Sequence, residues 1–300
     1  MRARKDSLYR FVVEDSNVRG QLVYLDEAWQ TLASRHDYPP AVRQVLGEAV
    51  SAAALLSATL KFRGSLTIQA RGDGDLRMLV AEAGAGGTLR GLARWRGRIP
   101  QGNLPELLGN GRLAITIDPG EGRDRYQGIV ELGQGGLAEA LHHYFAHSEQ
   151  IPTRLLLAVD ENRVAGLLLQ KVATAGEEDD DADLAEPARA AWRDSISRAR
   201  AMDAGALLEL GVGELLSRLH GDRPVHLYRG QGWRFHCGCT RESVEAVLRA
   251  IGKRELDALL AELGEVSVSC EFCDAEFRFD PVDVGRVLAG AGPPEPDIRH

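Results

Sequence analysis

No cysteine precedes Cys237 in this 300-residue chain, no apolar run is long enough to cross a bilayer, and positive charge is not in surplus. Each absence removes a class of function. The longest apolar stretch, Ala49 to Leu60, is broken by serines and falls short of the about 20 residues that a membrane-spanning helix needs. The opening segment MRARKDSLYRF is basic, but no apolar core follows it, so the expectation is an unsecreted, cytoplasmic protein with no membrane partner. Formal charge is -8, from 36 Lys and Arg against 44 Asp and Glu. Broad binding to nucleic acid needs a basic surface, so no nucleic-acid partner is expected either.

Catalytic signatures are missing as well. There is no serine-centred nucleophile elbow and no phosphate loop ending in Lys-Ser or Lys-Thr. Gly84, Gly86, Gly87 and Gly91 precede a β-like run where a dinucleotide loop would need a helix, so a turn is the simpler reading. His143 and His147 stand four apart on a helical stretch, but no Glu follows His143 as in a His-Glu-x-x-His metal site. The chain is not expected to be an enzyme.

The pattern that is present divides the chain in three. Between Arg10 and Lys171, short β-rich runs alternate with Gly, Asp and Asn turns. They cover 19–25, 65–71, 76–81, 89–95, 113–118, 126–132, 154–160 and 166–171. Gly72-Asp73-Gly74-Asp75 reads as a hairpin turn. Helical spacing is clearest from Pro40 to Lys61, with a second stretch from Leu137 to Ala146. Few runs are joined by a crossover helix, which argues for an α+β fold with a mixed sheet-and-helix domain over residues 1–175.

Composition then shifts to a carboxylate run, Glu177, Glu178, Asp179, Asp180, Asp181 and Asp183, packed within a Debye length of ~8 Å. Two apolar stripes follow, Leu184, Ala188, Trp192 and Ile196, then Leu208, Val212, Leu215, Leu216 and Leu219. Both read as amphipathic helices diluted by Ala and Gly, which must dock on a neighbour to stay folded. This gives a helical linker over residues 176–228, either poised to unfold or permanently packed.

Residues 229–300 read as a small C-terminal domain. Thr240 can cap a helix over 241–251, a second runs 253–263 to Gly264, and 265–270 and 275–279 alternate as two strands. Trp233, Phe235, Phe272, Phe277 and Phe279 are the expected core. Cys237 and Cys239 form a Cys-x-Cys pair, and Cys270 and Cys273 a Cys-x-x-Cys pair. Two such pairs suit one tetrahedral tetrathiolate ion, zinc being the first choice. A unit of this size has a marginal core, and a structural zinc contributes ~10 to 16 kcal/mol of apparent binding free energy. The Cys-x-Cys spacing is unusual for a zinc ribbon and points to sulfur chemistry beside scaffolding.

With both pairs placed, the chain resembles the redox-regulated holdase chaperone family known as the 33-kDa heat shock protein. The resemblance rests on FHCGCTRESVEAVLRAIGKRELDALLAELGEVSVSCEFCDAEFRFD, with its Cys-x-Cys, thirty-residue gap and Cys-x-x-Cys. KFRGSLTIQARGDGDLRMLVAE, GNGRLAITIDP, YQGIVEL and YFAHSEQIPTRLLLAV support it in the first domain. The resemblance implies that Cys237, Cys239, Cys270 and Cys273 hold one zinc in a reduced, inactive protein. It further implies that peroxide with heat, or hypochlorous acid, forms the disulfides Cys237–Cys239 and Cys270–Cys273, releases zinc and unfolds the linker. The oxidised protein would then form a homodimer, capture unfolding clients without ATP, and pass them to ATP-driven chaperones on reduction. The acidic run is denser than the family pattern requires.

Trp192, Ile196, Leu208, Leu215 and Leu216 are the expected client-binding side chains, since undocking of their helices would expose them. Three other readings compete. A constitutive structural zinc module, binding protein or nucleic acid, would use the cysteines as a scaffold. A nucleic-acid module would use Arg241, Lys253 and Arg254, but Glu242, Glu245, Glu255, Asp257 and Glu262 sit among them. A thiol oxidoreductase would use Cys-x-x-Cys, but no helix begins at Cys270 to lower its pKa.

Overall fold

The structure is a computed structural model in which residues 5–59, 64–120, 123–172 and 186–290 are described. The acidic run 177–183, Leu184, and the end of the expected first helix at Leu60 and Lys61 lie outside them. The chain divides into two compact units, Met1–His236 and Cys237–His300.

The first unit begins with β1 (Ser7–Val13), β2 (Val18–Leu25), α1 (Glu27–Ala33) and α2 (Pro40–Ser57). Next come β3 (Ser65–Arg71), β4 (Leu76–Gly84), β5 (Thr88–Trp95), α3 (Leu104–Leu108), β6 (Arg112–Asp118) and β7 (Tyr126–Val130). It continues through α4 (Gly136–His147), β8 (Thr153–Val159), β9 (Val164–Lys171), α5 (Glu186–Arg200), α6 (Ala204–Glu209) and α7 (Val212–His220). Three short strands close it: β10 (Val225–Leu227), β11 (Gln231–Gly232) and β12 (Arg234–Phe235). One sheet runs β10-β1-β2-β9-β8 with β11 also on β1, and the other runs β12-β5-β4-β3-β6-β7. Every pairing is antiparallel except β12 with β5. The α+β reading holds.

Between the sheets lies α2. It opens with Pro40 at its first turn, where a missing N–H costs nothing, and then buries Val42, Val45, Leu46, Ala49, Ala53 and Leu56. Ala41, Gly47, Ser51, Ala52, Ala54 and Ser57 add small buried residues, which lets both sheets approach. At Gly47 a Cβ would come within 2.8 Å of Val164 and 2.9 Å of Val159, so only glycine admits the β8–β9 hairpin this closely.

Strand burial records what covers each face. In β3 the sequence SLTIQAR alternates, with Leu66, Ile68 and Ala70 inward, as a sheet with one buried face requires. In β9 every residue from Val164 to Gln170 is buried. Its Leu168 joins Val23 and Leu8 in the core under α2, while Leu167 and Leu169 face the other way with Leu22, Tyr24, Tyr9 and Phe11. That outer face is covered by α5, α6 and α7.

The second unit holds α8 (Arg241–Ile251), α9 (Lys253–Leu263), β13 (Val266–Ser269), β14 (Glu276–Phe279) and α10 (Pro281–Ala289). Its core is small: Val244, Leu248, Leu256, Val266, Phe279, Val284 and Val287. Phe277 packs against that core, but Trp233 and Phe235 do not belong to it. They pack in the core of the first unit, because β12 pairs with β5 and carries them there. The guanidinium of Arg35 lies 5.2 Å from the Phe235 ring centre.

Candidate metal centre

The cysteine pairs are brought together by local structure that the sequence announces. Thr240 caps α8: its hydroxyl accepts from the Ser243 N–H, and Ser243 Oγ accepts from the Thr240 N–H. This fixes the chain direction just after Cys237 and Cys239. The next residue, Arg241, stacks on Phe279 at 4.2 Å, pairs with Asp283 at 2.8 Å and donates to the Arg278 carbonyl. One side chain thus ties the start of α8 to β14 and α10. Cys270 and Cys273 sit in the β13–β14 turn, closed by Cys270 N–H to Ala275 O and Asp274 N–H to Cys270 O. Asp274 takes a left-handed φ of 62°, which turns the chain back into β14.

The four sulfurs all lie within 4.8 Å of one another. Cys237 Sγ is 3.6 Å from Cys270 Sγ, and Cys239 Sγ is 3.3 Å from Cys273 Sγ. An ion with four sulfurs at about 2.3 Å has S···S edges of roughly 3.8 Å, so the cluster has the size a tetrahedral tetrathiolate site demands. The thiols are free and half-buried.

Their surroundings shift the acidity of three of the thiols. Burial pushes the Cys237 thiol up, and burial with the hydrogen bond to Cys273 pushes Cys239 up further. Burial also acts on Cys270, but N–H groups of Phe272 and Cys273 and the neighbouring thiols offset it, leaving it lowered to about 7. No helix begins at Cys270; the turn supplies the donors instead. Without a positive ion, four negative sulfurs this close would repel, so the donor set fits a soft divalent metal. Among the described residues, no other group of three or more His, Cys, Asp or Glu converges this way. His147 Nδ1 is engaged with the His143 carbonyl at 2.9 Å.

The family model described as Hsp33 protein matches residues 6–280. This chain belongs to the Hsp33 family. The chain is 43% identical over 284 residues to the 33 kDa chaperonin of Nitrosococcus oceani, covering 95% of this chain and 94% of that one. It is 40% identical over 297 residues to the 33 kDa chaperonin of Methylobacillus flagellatus, covering 98% and 99%. The crystal structure of the 33 kDa chaperonin from Thermotoga maritima shares the fold, with a TM-score of 0.79 at 23% identity over 95% of this chain and 98% of that one.

In this Hsp33 chain the five side chains singled out for client binding converge on one surface. Leu208, Leu215 and Leu216 are buried, and Trp192 and Ile196 pack partly buried beside them, against Tyr9, Phe11, Leu22, Tyr24, Leu167 and Leu169. Polar ties reinforce the contact. Arg163, in the β8–β9 turn, donates to the Leu208 carbonyl at 2.7 Å while its other nitrogens grip the buried Asp26 carboxylate. The Tyr24 hydroxyl donates to the Leu210 carbonyl at 3.2 Å. Sequence reasoning missed Arg163, Asp26 and Tyr24, because nothing local to them marks a partner more than 40 residues away. No helix among the described residues is long and apolar enough to cross a membrane.

Proposed function

We propose that this chain is a redox-regulated, ATP-independent holdase chaperone of the cytoplasm, with residues 1–175 as its core, 176–228 as its regulatory linker and 229–300 as its redox switch. The convergence of Cys237, Cys239, Cys270 and Cys273 within 4.8 Å carries the reading. In the reduced state all four thiolates hold zinc, and the protein is inactive. Zinc supplies the positive charge that keeps four adjacent sulfurs deprotonated, and deprotonated sulfur is the form an oxidant attacks.

Two-electron oxidation of each pair by peroxide forms one S–S bond, Cys237–Cys239 or Cys270–Cys273, with water as the reduced product. Each bond removes both ligands that one chain segment contributes, so zinc is released. A core of seven buried residues then has to hold without its cross-link. Unfolding spreads to the linker and exposes Trp192, Ile196, Leu208, Leu215 and Leu216 to unfolding clients. The oxidised protein acts as a homodimer, and on reduction it passes clients to ATP-driven chaperones.

The test pairs zinc release, read with a colorimetric chelator, with suppression of aggregation of a thermally unfolding client, before oxidant, after it and after reductant. About one zinc leaving per chain as suppression appears, both reversed by reductant with zinc, is the expected result. Zinc that stays bound while suppression is absent or independent of oxidant would make the site a constitutive structural module instead.

A further inference from the structure

His220, the last residue of α7, is 3% exposed, and its hydrogen-bond partner Ser195 on α5 is 1% exposed. Ser195 spends its single hydroxyl proton on the Ala191 carbonyl at 2.7 Å. With that proton given to Ala191, the 2.9 Å contact between Ser195 Oγ and His220 Nδ1 is assigned as donated by the ring from Nδ1. On the other side of the ring, Nε2 is buried with no partner. The ring packs against Phe11 of β1, with centroids 5.5 Å apart. His220 thus joins α5 and α7 to the sheet they cover, and only its neutral form fits.

The charges around it sharpen this. From α5 come Arg198 and Asp194, from the turn after α7 comes Arg223, and β1 offers the Phe11 ring. Asp194 is taken by Arg223 at 3.3 Å. Arg198 lies against Gly221, where a Cβ would meet its guanidinium at 2.6 Å. A second ring proton would sit on Nε2 with no acceptor, beside two guanidinium groups.

We propose that His220 is a proton-sensing latch through which mild acid undocks α5–α7 while all four cysteines remain unoxidised. The proposal rests on the reading that release of these helices activates the chaperone, and adds a second trigger to it. Burial, then Arg198 and Arg223, lower the His220 pKa from 6.5 to about 4. Since the folded pKa is the lower one, the docked state gains stability above pH 6.5 and loses it as pH falls from 6.5 towards 4. At pH 5 the undocked fraction rises on the order of tenfold to thirtyfold relative to pH 7.5.

Hydrogen exchange over residues 186–220 of the reduced, zinc-loaded full chain, corrected for intrinsic rates, is compared at pH 7.5, 6.0 and 5.0, with bound zinc measured in parallel. The same is done for His220→Gln, which cannot gain the proton. His142, half-buried on α4 and outside these helices, is held to about 4 by burial and by Arg154, so His142→Gln reports acid effects on the rest of the first unit. Opening of 186–220 in wild type and His142→Gln, with His220→Gln flat, upholds the latch even where some zinc is lost. Equal opening in all three chains, or none in wild type, overturns it. Should His220→Gln fail to dock at pH 7.5, the imidazole titration of wild type decides: a midpoint below about 6 upholds the latch and one at or above about 6 overturns it. If oxidant opens these helices and acid does not, the latch alone fails; if acid opens them and oxidant does not, the redox reading alone fails.

Discussion

The core under α2 and the core of the cysteine unit solve the burial problem with different means. In the first, a helix lies between two sheets and nearly every one of its residues is covered, down to Gly47 where no side chain fits. In the second, among the described residues, seven buried side chains support three helices and a two-stranded hairpin, with four thiols brought within 4.8 Å of one another. The layer of α5–α7 stands between these extremes. It covers a large apolar sheet face, but α6 spans only Ala204–Glu209, and Gly205, Gly211 and Gly213 interrupt the segment. Stability carried by dispersed packing changes gradually with conditions. Stability carried by one ion changes all at once.

The largest effect follows from removing a ligand. Cys270→Ser, or a strong chelator added to the reduced chain, should abolish the fold of residues 237–290, since a structural zinc contributes on the order of 10 kcal/mol. Loss of the dispersed amide signals of α8–α10, with those of β3–β6 unmoved, is the expected spectrum; broadening throughout would erase the contrast between the units.

Next come equal deletions in the two packed layers. Leu46→Ala and Leu215→Ala each remove a fully buried leucine and should each cost roughly 2–5 kcal/mol. The first should lower the melting temperature of the chain, because α2 is common to both sheets. The second should show as faster exchange over 186–220 and as client capture without oxidant. Leu215→Ser with Leu216→Ser tests the same layer more severely; unchanged aggregation suppression and unchanged oxidant dependence would remove these residues from the switch.

The smallest effect belongs to the polar ties. Tyr24→Phe deletes one hydrogen bond to the Leu210 carbonyl and keeps the ring, so about 1 kcal/mol of docking should go. A small shift of the oxidant threshold to lower dose would register it. No shift would place the holding power wholly in the apolar layer.

Local signals were legible where the cause is local. Thr240 before 241–251 and Gly264 after 253–263 are written into the chain, and Gly264 takes the left-handed φ of 78° that only glycine adopts without strain. The β3–β4 hairpin at Gly72 to Asp75 reads from its turn residues. In contrast the sequence reading holds no strand at β1, although SLYRFVV followed by the turn-forming Glu14-Asp15-Ser16-Asn17 carries a strand signal, and no helix at α10, opened by Asp280 and Pro281. Trp233 and Phe235 were misplaced because sequence proximity to Cys237 says nothing about which sheet a two-residue strand joins.

By itself, then, the sequence determined the candidate metal site, since four thiols in two short pairs need only a turn and a cap to meet. Tertiary structure alone decided which face of the first sheet α5–α7 cover, that Arg163 reaches from Asp26 to the Leu208 carbonyl, and that His220 is sealed against Phe11 with one nitrogen unpartnered. Those contacts join residues far apart in the chain, and burial, which gives them their energy, exists only once the whole layer is assembled.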